Sequence, residues 1–83
     1  MMAKVSLYSI FDSKVGVYNA PFTQANDNAA IRAFSDEVNN PDSLLNRHPE
    51  DFTLFCLGSY DDDVATASLF PVSVVSGLSV KVS

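Results

Sequence analysis

LYSIFDSKVGVYNAPF, residues 7 to 22, is the stretch on which the fold turns. Leu7, Ser9 and Phe11 alternate with Tyr8 and Ile10, and the alternation reaches back through Val5 to Lys4 and Ser6. A period of two marks a half-buried strand. Asp12-Ser13-Lys14 supplies turn residues. Val15 and Val17 then alternate with Gly16 and Tyr18. The spacing predicts a β-hairpin over residues 3–11 and 15–19, ended at Asn19-Ala20-Pro21 because proline has no amide hydrogen for a ladder. If Val5, Leu7, Phe11, Val15 and Val17 face a core, then Lys4, Ser6, Tyr8, Lys14, Gly16 and Tyr18 share the opposite face.

Working outward, Asn26-Asp27-Asn28 offers N-cap residues, and Asp27 suits the positive end of a helix. Residues 29–39 form the clear helix, with Ala30, Ile31, Phe34 and Val38 on one stripe and Arg32, Ser35, Asp36 and Asn39 pointing away. Asn39-Asn40-Pro41 stops it. Leu44 and Leu45 anchor a short helical turn. His48-Pro49-Glu50-Asp51 is a polar turn, and residues 52–57, apolar on both phases except at Thr53, suit a central strand. Residues 58–63 form an acidic loop. Pro71 breaks the 64–70 segment, and the apolar even positions from Val72 to Val82 predict a last strand, bulged near Gly77. These elements add up to an α+β fold: a small antiparallel sheet of about four strands with one main helix packed on one face. The expected organisation is a single domain, 1–83.

Composition narrows the function. The chain carries 10 Asp and Glu against 5 Lys and Arg, a net charge of −5, and its basic residues form no run. Proteins that hold duplex DNA by its phosphates carry basic patches. One cysteine, Cys56, excludes an internal disulfide and any cysteine-rich zinc module. No apolar run approaches the ~20 residues of a membrane helix. Met1-Met2-Ala3-Lys4 leads directly into a strand pattern, so no signal peptide is expected.

Candidate chemistry is sparse. Lys4, Tyr8, Lys14 and Tyr18 on the open hairpin face, joined by Thr53, Phe55 and Lys81, form a candidate surface for a partner or for nucleic acid, since aromatics beside lysines stack bases and meet phosphates. The same pattern also describes a plain cross-strand tyrosine pair or a subunit interface. His48 beside Arg47, Glu50 and Asp51 lacks a nucleophile at a useful spacing and reads as a turn. Asp61-Asp62-Asp63 lacks the twelve-residue calcium loop. Cys56 reads as core. No cofactor, metal site or catalytic residue is expected. The Leu78–Val82 strand is expected to be either a docked strand or a sheet edge, one that Lys81 blunts or on which two copies pair.

LYSIFDSKVGVYNAPF, AIRAFSDEVN and RHPEDFTLFCLG together resemble the small nonstructural protein of gokushovirus-type single-stranded DNA phages (Microviridae) over about residues 5 to 63. The tail from Ala65 departs from that pattern. The resemblance implies a non-capsid protein in the cytoplasm of the infected bacterium, acting in viral single-stranded DNA synthesis or packaging. It brings no catalytic residues. Phe11, Asp12, Asn19, Pro21, Phe22, His48, Pro49 and Phe52 read as turn and core determinants, with the Asp12 side chain capping its own turn. Joined to the residues, this gives the expectation of a non-enzymatic accessory protein, a homodimer contacting phage or host replication proteins. The alternative is a single-stranded DNA binder using the open sheet face.

Overall fold

Three long strands dominate the structure, a computed structural model that describes residues 4–61, 63 and 65–82. In those strands the side chains of residues 4 and 66–68 lie outside the description. β1 (Lys4–Asp12) pairs antiparallel with β4 (Phe52–Asp61), from Lys4 opposite Asp61 to Asp12 opposite Phe52. The register shifts once: Leu7 faces Gly58 and Tyr8 faces Cys56, which leaves Leu57 as a bulge. Gly58 permits it, at a φ of 144° that residues with a Cβ rarely adopt. The other edge of β1 is covered by two short strands in succession. β2 (Val17–Tyr18) lies opposite Phe11 and Asp12, and β3 (Phe22–Gln24) opposite Ser6 to Tyr8. The chain bends between them at Pro21. β5 (Thr66–Ser76) closes the order β2-β1-β4-β5. The architecture is therefore α+β, an antiparallel five-stranded sheet with one main helix.

The hairpin turn spans residues 13–16, one residue longer than the sequence suggested. Asp12 builds it: its Oδ1 accepts from the Lys14 amide at 3.0 Å and its carbonyl from the Gly16 amide at 2.8 Å. Gly16 takes a φ of +75° there.

The main helix, α1 (Asp27–Val38), starts on an Asn26 cap whose Oδ1 accepts from the Ala29 amide at 2.9 Å. Its buried stripe is Ala30, Phe34 and Val38, as the periodicity predicted. That stripe packs on Tyr8, Leu54 and Phe52, with Ile10, Phe22, Cys56, Val74 and Val75 around them. α2 (Leu44–Arg47) buries Leu45 and leaves Leu44 exposed. A 3₁₀ turn at Pro49–Asp51 then leads into β4.

Three expectations are corrected. First, the helix covers the even face of β1 and not the odd one. Tyr8 is 0% exposed, whereas Val15 and Val17 are 65% and 52% exposed in and just after the turn. Tyr8 can be buried because its hydroxyl donates to the Asp27 carboxylate at 2.6 Å. Second, β5 runs through Pro71 without a break. The register skips there, with Cys56 facing Val72 and Gly58 facing Leu69, so the proline occupies a bulge on an edge strand, where a missing amide hydrogen does little harm. Third, the last strand stops at Ser76. Gly77–Val80 forms a helical turn, α3, capped by Ser76 and held against the end of α1 by the Asn39 side chain. The predicted Leu78–Val82 sheet edge is absent, and β5 is the edge strand instead.

The principal extents are 42 × 24 × 19 Å. The shortest matches one sheet plus one helix, each layer being about 10 Å thick. Among the described residues that leaves no third layer on the far side of the sheet. Among the described residues no helix is long and apolar enough to cross a membrane.

Candidate functional site

The face of the sheet opposite α1 is the main candidate surface, and strand register decides what it displays. β1 sends Val5, Leu7, Ser9 and Phe11 to it, because Tyr8 and Ile10 go to the helix side. Phe55 lies opposite Ser9, Thr53 opposite Phe11, and Tyr18 opposite Phe11 on the other edge. Beyond the Leu57 bulge, Gly58 and Tyr60 follow opposite Leu7 and Val5, and β5 adds Ser73 and Leu69. None of these residues is charged.

Three rings stand together toward the hairpin end of this face. Phe11 and Tyr18 have centroids 4.7 Å apart, Tyr18 and Phe55 are 5.4 Å apart edge to face, and Phe11 and Phe55 are 6.0 Å apart, also edge to face. These are favourable aromatic geometries. Each ring stays open to solvent: Tyr18 is 47% exposed, and Phe11 and Phe55 are half-buried. Beneath them Ser9 is fully buried, its hydroxyl donating to the Asn19 carbonyl at 2.6 Å. The buried hydroxyl under the rings is therefore satisfied. Leu69 extends the apolar surface toward the β5 edge at 66% exposure.

The site residues expected from the sequence are dispersed. Tyr18 is on the open face, and so are Thr53 and Phe55. Tyr8 is beneath the helix, where burial and then the hydrogen bond to Asp27 push its phenol up from 10.0 to about 12. Lys14 is in the exposed β1–β2 turn. Lys81 follows α3, at the end of α1, and its ammonium donates to the Val82 carbonyl. Lys4 starts β1 opposite Asp61, with its side chain outside the described ones. The lysine-and-tyrosine surface is thus not assembled, because the strand presents the other phase. Phe11 and Leu7 were assigned to the core. The signal that could have placed them outside is that the odd phase is as apolar as the even one, in a chain with a single long helix.

A second concavity lies at the far end of the β1–β4 pair. A cleft of about 350 Å³ is lined by Asp12, Lys14, Val15, Leu44, His48, Glu50, Asp51 and Phe52. The 3₁₀ turn brings donor atoms of His48, Glu50 and Asp51 within 4.8 Å of one another. The turn is tied to the hairpin, since the Asp51 carbonyl accepts from the Ser13 amide at 2.9 Å and its hydroxyl at 3.1 Å. His48 and Glu50 are exposed. Three donors on an open turn fall short of the closed four-ligand shell of a structural zinc site. The residues lining this cleft include no hydroxyl or thiol for His48 to activate. Asp61 and Asp63 share a hydrogen bond in the β4–β5 turn, while Asp62 lies outside the described residues.

Comparison with known proteins fits the resemblance carried by the motifs. The family model for "Phage ORF5 protein" matches residues 5–80, which takes in the tail as well as the motif segments. Protein ORF5 of Chlamydia phage 1 is 42% identical over 60 residues, an alignment covering 68% of this chain and 62% of that relative. The chain thus covers less than two thirds of that relative's length. No solved structure matches.

Proposed function

This chain belongs to the Phage ORF5 protein family, and from that premise we propose that it is a non-enzymatic accessory protein of viral single-stranded DNA synthesis or packaging. It acts through protein contacts made by its uncovered sheet face. The observation that carries this reading is the Phe11–Tyr18–Phe55 cluster on a face that, among the described residues, carries no charge and is covered by no helix. Apolar surface of that kind, rimmed by polar residues, marks a contact site. Tyrosine and phenylalanine are enriched at such sites, where large rigid rings are desolvated at small entropic cost. On this reading the protein works in the cytoplasm of the infected bacterium, outside the capsid, among phage or host replication proteins.

The test is a phage carrying Tyr18→Glu, a change at a half-exposed position that leaves the core untouched. The ratio of single-stranded genomes to duplex replicative DNA in infected cells should fall several-fold. The purified variant should keep the wild-type circular dichroism spectrum. An unchanged ratio with a folded variant refutes the reading, and so does recovery of the protein as a stoichiometric component of purified virions.

A further inference from the structure

We propose that the occupant of the uncovered face is a second copy of this chain, giving a twofold dimer in which two sheets stack face to face with the α1 helices outermost. The inference rests on the contact reading above and names the partner. Three observations lead to it.

The first is area. β1 is nine residues long, so at a rise of about 3.3 Å it runs roughly 30 Å, and four strand positions about 4.8 Å apart add a width of roughly 19 Å. The face is then about 600 Å² in projection, and more once side-chain relief is counted, which is the scale of the ~800 Å² per partner in a standard interface.

The second is charge. The molecule carries a net charge of −5, which would oppose self-association if it lay on the contact surface. The acidic side chains are instead in α1, the turns and the strand ends, and the register sends none of the described ones to the open face. Two equally charged copies can therefore meet through this face with their charges turned outward. A basic partner would gain no complementary charge there.

The third is shape. A stacked pair of sheets is a stable packing with a spacing near 10 Å, filled by interdigitating side chains. Across a twofold axis one patch meets itself. The Phe11–Tyr18–Phe55 cluster supplies large rings for such a layer at the hairpin end, with Leu7, Tyr60 and Leu69 toward the other end. An 83-residue chain has a thin core, and a shared second core enlarges it.

The experiment is light scattering coupled to size exclusion, with sedimentation over a concentration series up to about 100 μM, a range that detects micromolar association. Wild type should run at twice its 9.0 kDa mass. Tyr18→Glu and Phe55→Glu should each raise the dissociation constant at least 100-fold and keep the folded far-ultraviolet spectrum. Leu44→Glu, at an exposed position off the face, should leave the dimer intact. Tyr18→Glu guards against misfolding of the Phe55 variant, since its ring is already half in water. A monomeric wild type at every concentration overturns the proposal, as does a dimer that Tyr18→Glu leaves intact. If the wild type is monomeric and Tyr18→Glu still lowers viral single strands, the face serves a different protein and only the dimer fails. If the dimer forms as described and single-strand production is unaffected by Tyr18→Glu, only the functional reading fails.

Discussion

The inverted sheet face can be tested by the two tyrosines themselves. Tyr8 and Tyr18 would be equivalent if the hairpin simply alternated, yet the structure makes one a core residue and the other a surface ring. Tyr8 is 0% exposed, stacks on Phe22 at 6.0 Å and packs beneath α1. Replacing it with alanine removes a fully buried ring and leaves a cavity, a change worth about 3–5 kcal/mol. Tyr18 is 47% exposed and loses its contacts with Phe11 and Phe55, about 1–3 kcal/mol for the two pairs. Tyr8→Phe keeps the packing and loses one hydrogen bond to an exposed aspartate that water can resolvate, about 1 kcal/mol. Urea denaturation followed by circular dichroism measures all three, at low protein concentration so that association adds nothing. The pH dependence separates the hydroxyl from the ring. The folded-state pKa of Tyr8 is raised from 10.0 to about 12, so its contribution is complete below the unfolded value and is lost as pH climbs through that window. The stability gap between wild type and Tyr8→Phe should therefore close between those two values. If Tyr18→Ala costs as much as Tyr8→Ala, the assignment of faces is wrong.

Further outcomes follow from other contacts. A Cβ on Gly77 would clash with the Pro49 carbonyl oxygen. Gly77→Ala should therefore destabilise by about 1–3 kcal/mol through overpacking, where helix propensity alone would stabilise by up to ~1 kcal/mol; the sign of the shift in urea midpoint decides. The Asn39 amide donates to Ser35 and Val80 and its oxygen accepts from the Val82 amide at 2.8 Å. Asn39→Ala should cost about 1–3 kcal/mol and abolish hydrogen-exchange protection at Val82, and protection that survives would contradict the contact. Because Tyr8 is buried while Lys14 and Lys81 lie apart, anisotropy titration with labelled oligo-dT at low salt should stay flat. Salt-sensitive binding lost in Tyr18→Ala would restore the single-strand reading.

Much of the fold was legible because local signals agreed. The α1 stripe, its Asn26 cap, the Asp12 turn and the two-phase apolarity of β4 each have a physical cause within a few residues of chain. What was not legible depended on distant partners. Tyr8 is buried because Asp27, nineteen residues away, accepts its hydroxyl. Ser9 is buried because the Asn19 carbonyl accepts from it. β3 is three residues long and follows a proline, too short for a period to show. β5 absorbs Pro71 because it is an edge strand with a bulge. Beyond it, Gly77 and the Ser76 cap convert an apparent period of two into a helical turn packed on Pro49. On the open face, Tyr18 and Phe55 were legible as surface residues, while Phe11 was not.

The misplacement of Phe11 and Tyr8 has one physical origin, and it bears on function. A strand whose phases are unequal announces which side is buried, since one side must face water. In β1 one phase offers Tyr8 and Ile10 and the other Val5, Leu7 and Phe11, so both sides of the pleat are fit for burial. β4 repeats this with Leu54 on one side and Phe55 on the other. The described residues contain one long helix, enough to cover one face. A sheet apolar on both sides with an intrachain cover for one leaves three rings and several aliphatic side chains partly in water, forgoing about 25 cal/mol for every Å², and that forgone burial is the driving force the proposed contact would use. Ambiguity in the sequence and exposure in the structure are then the same property of these strands, and the Tyr18→Glu variant addresses both.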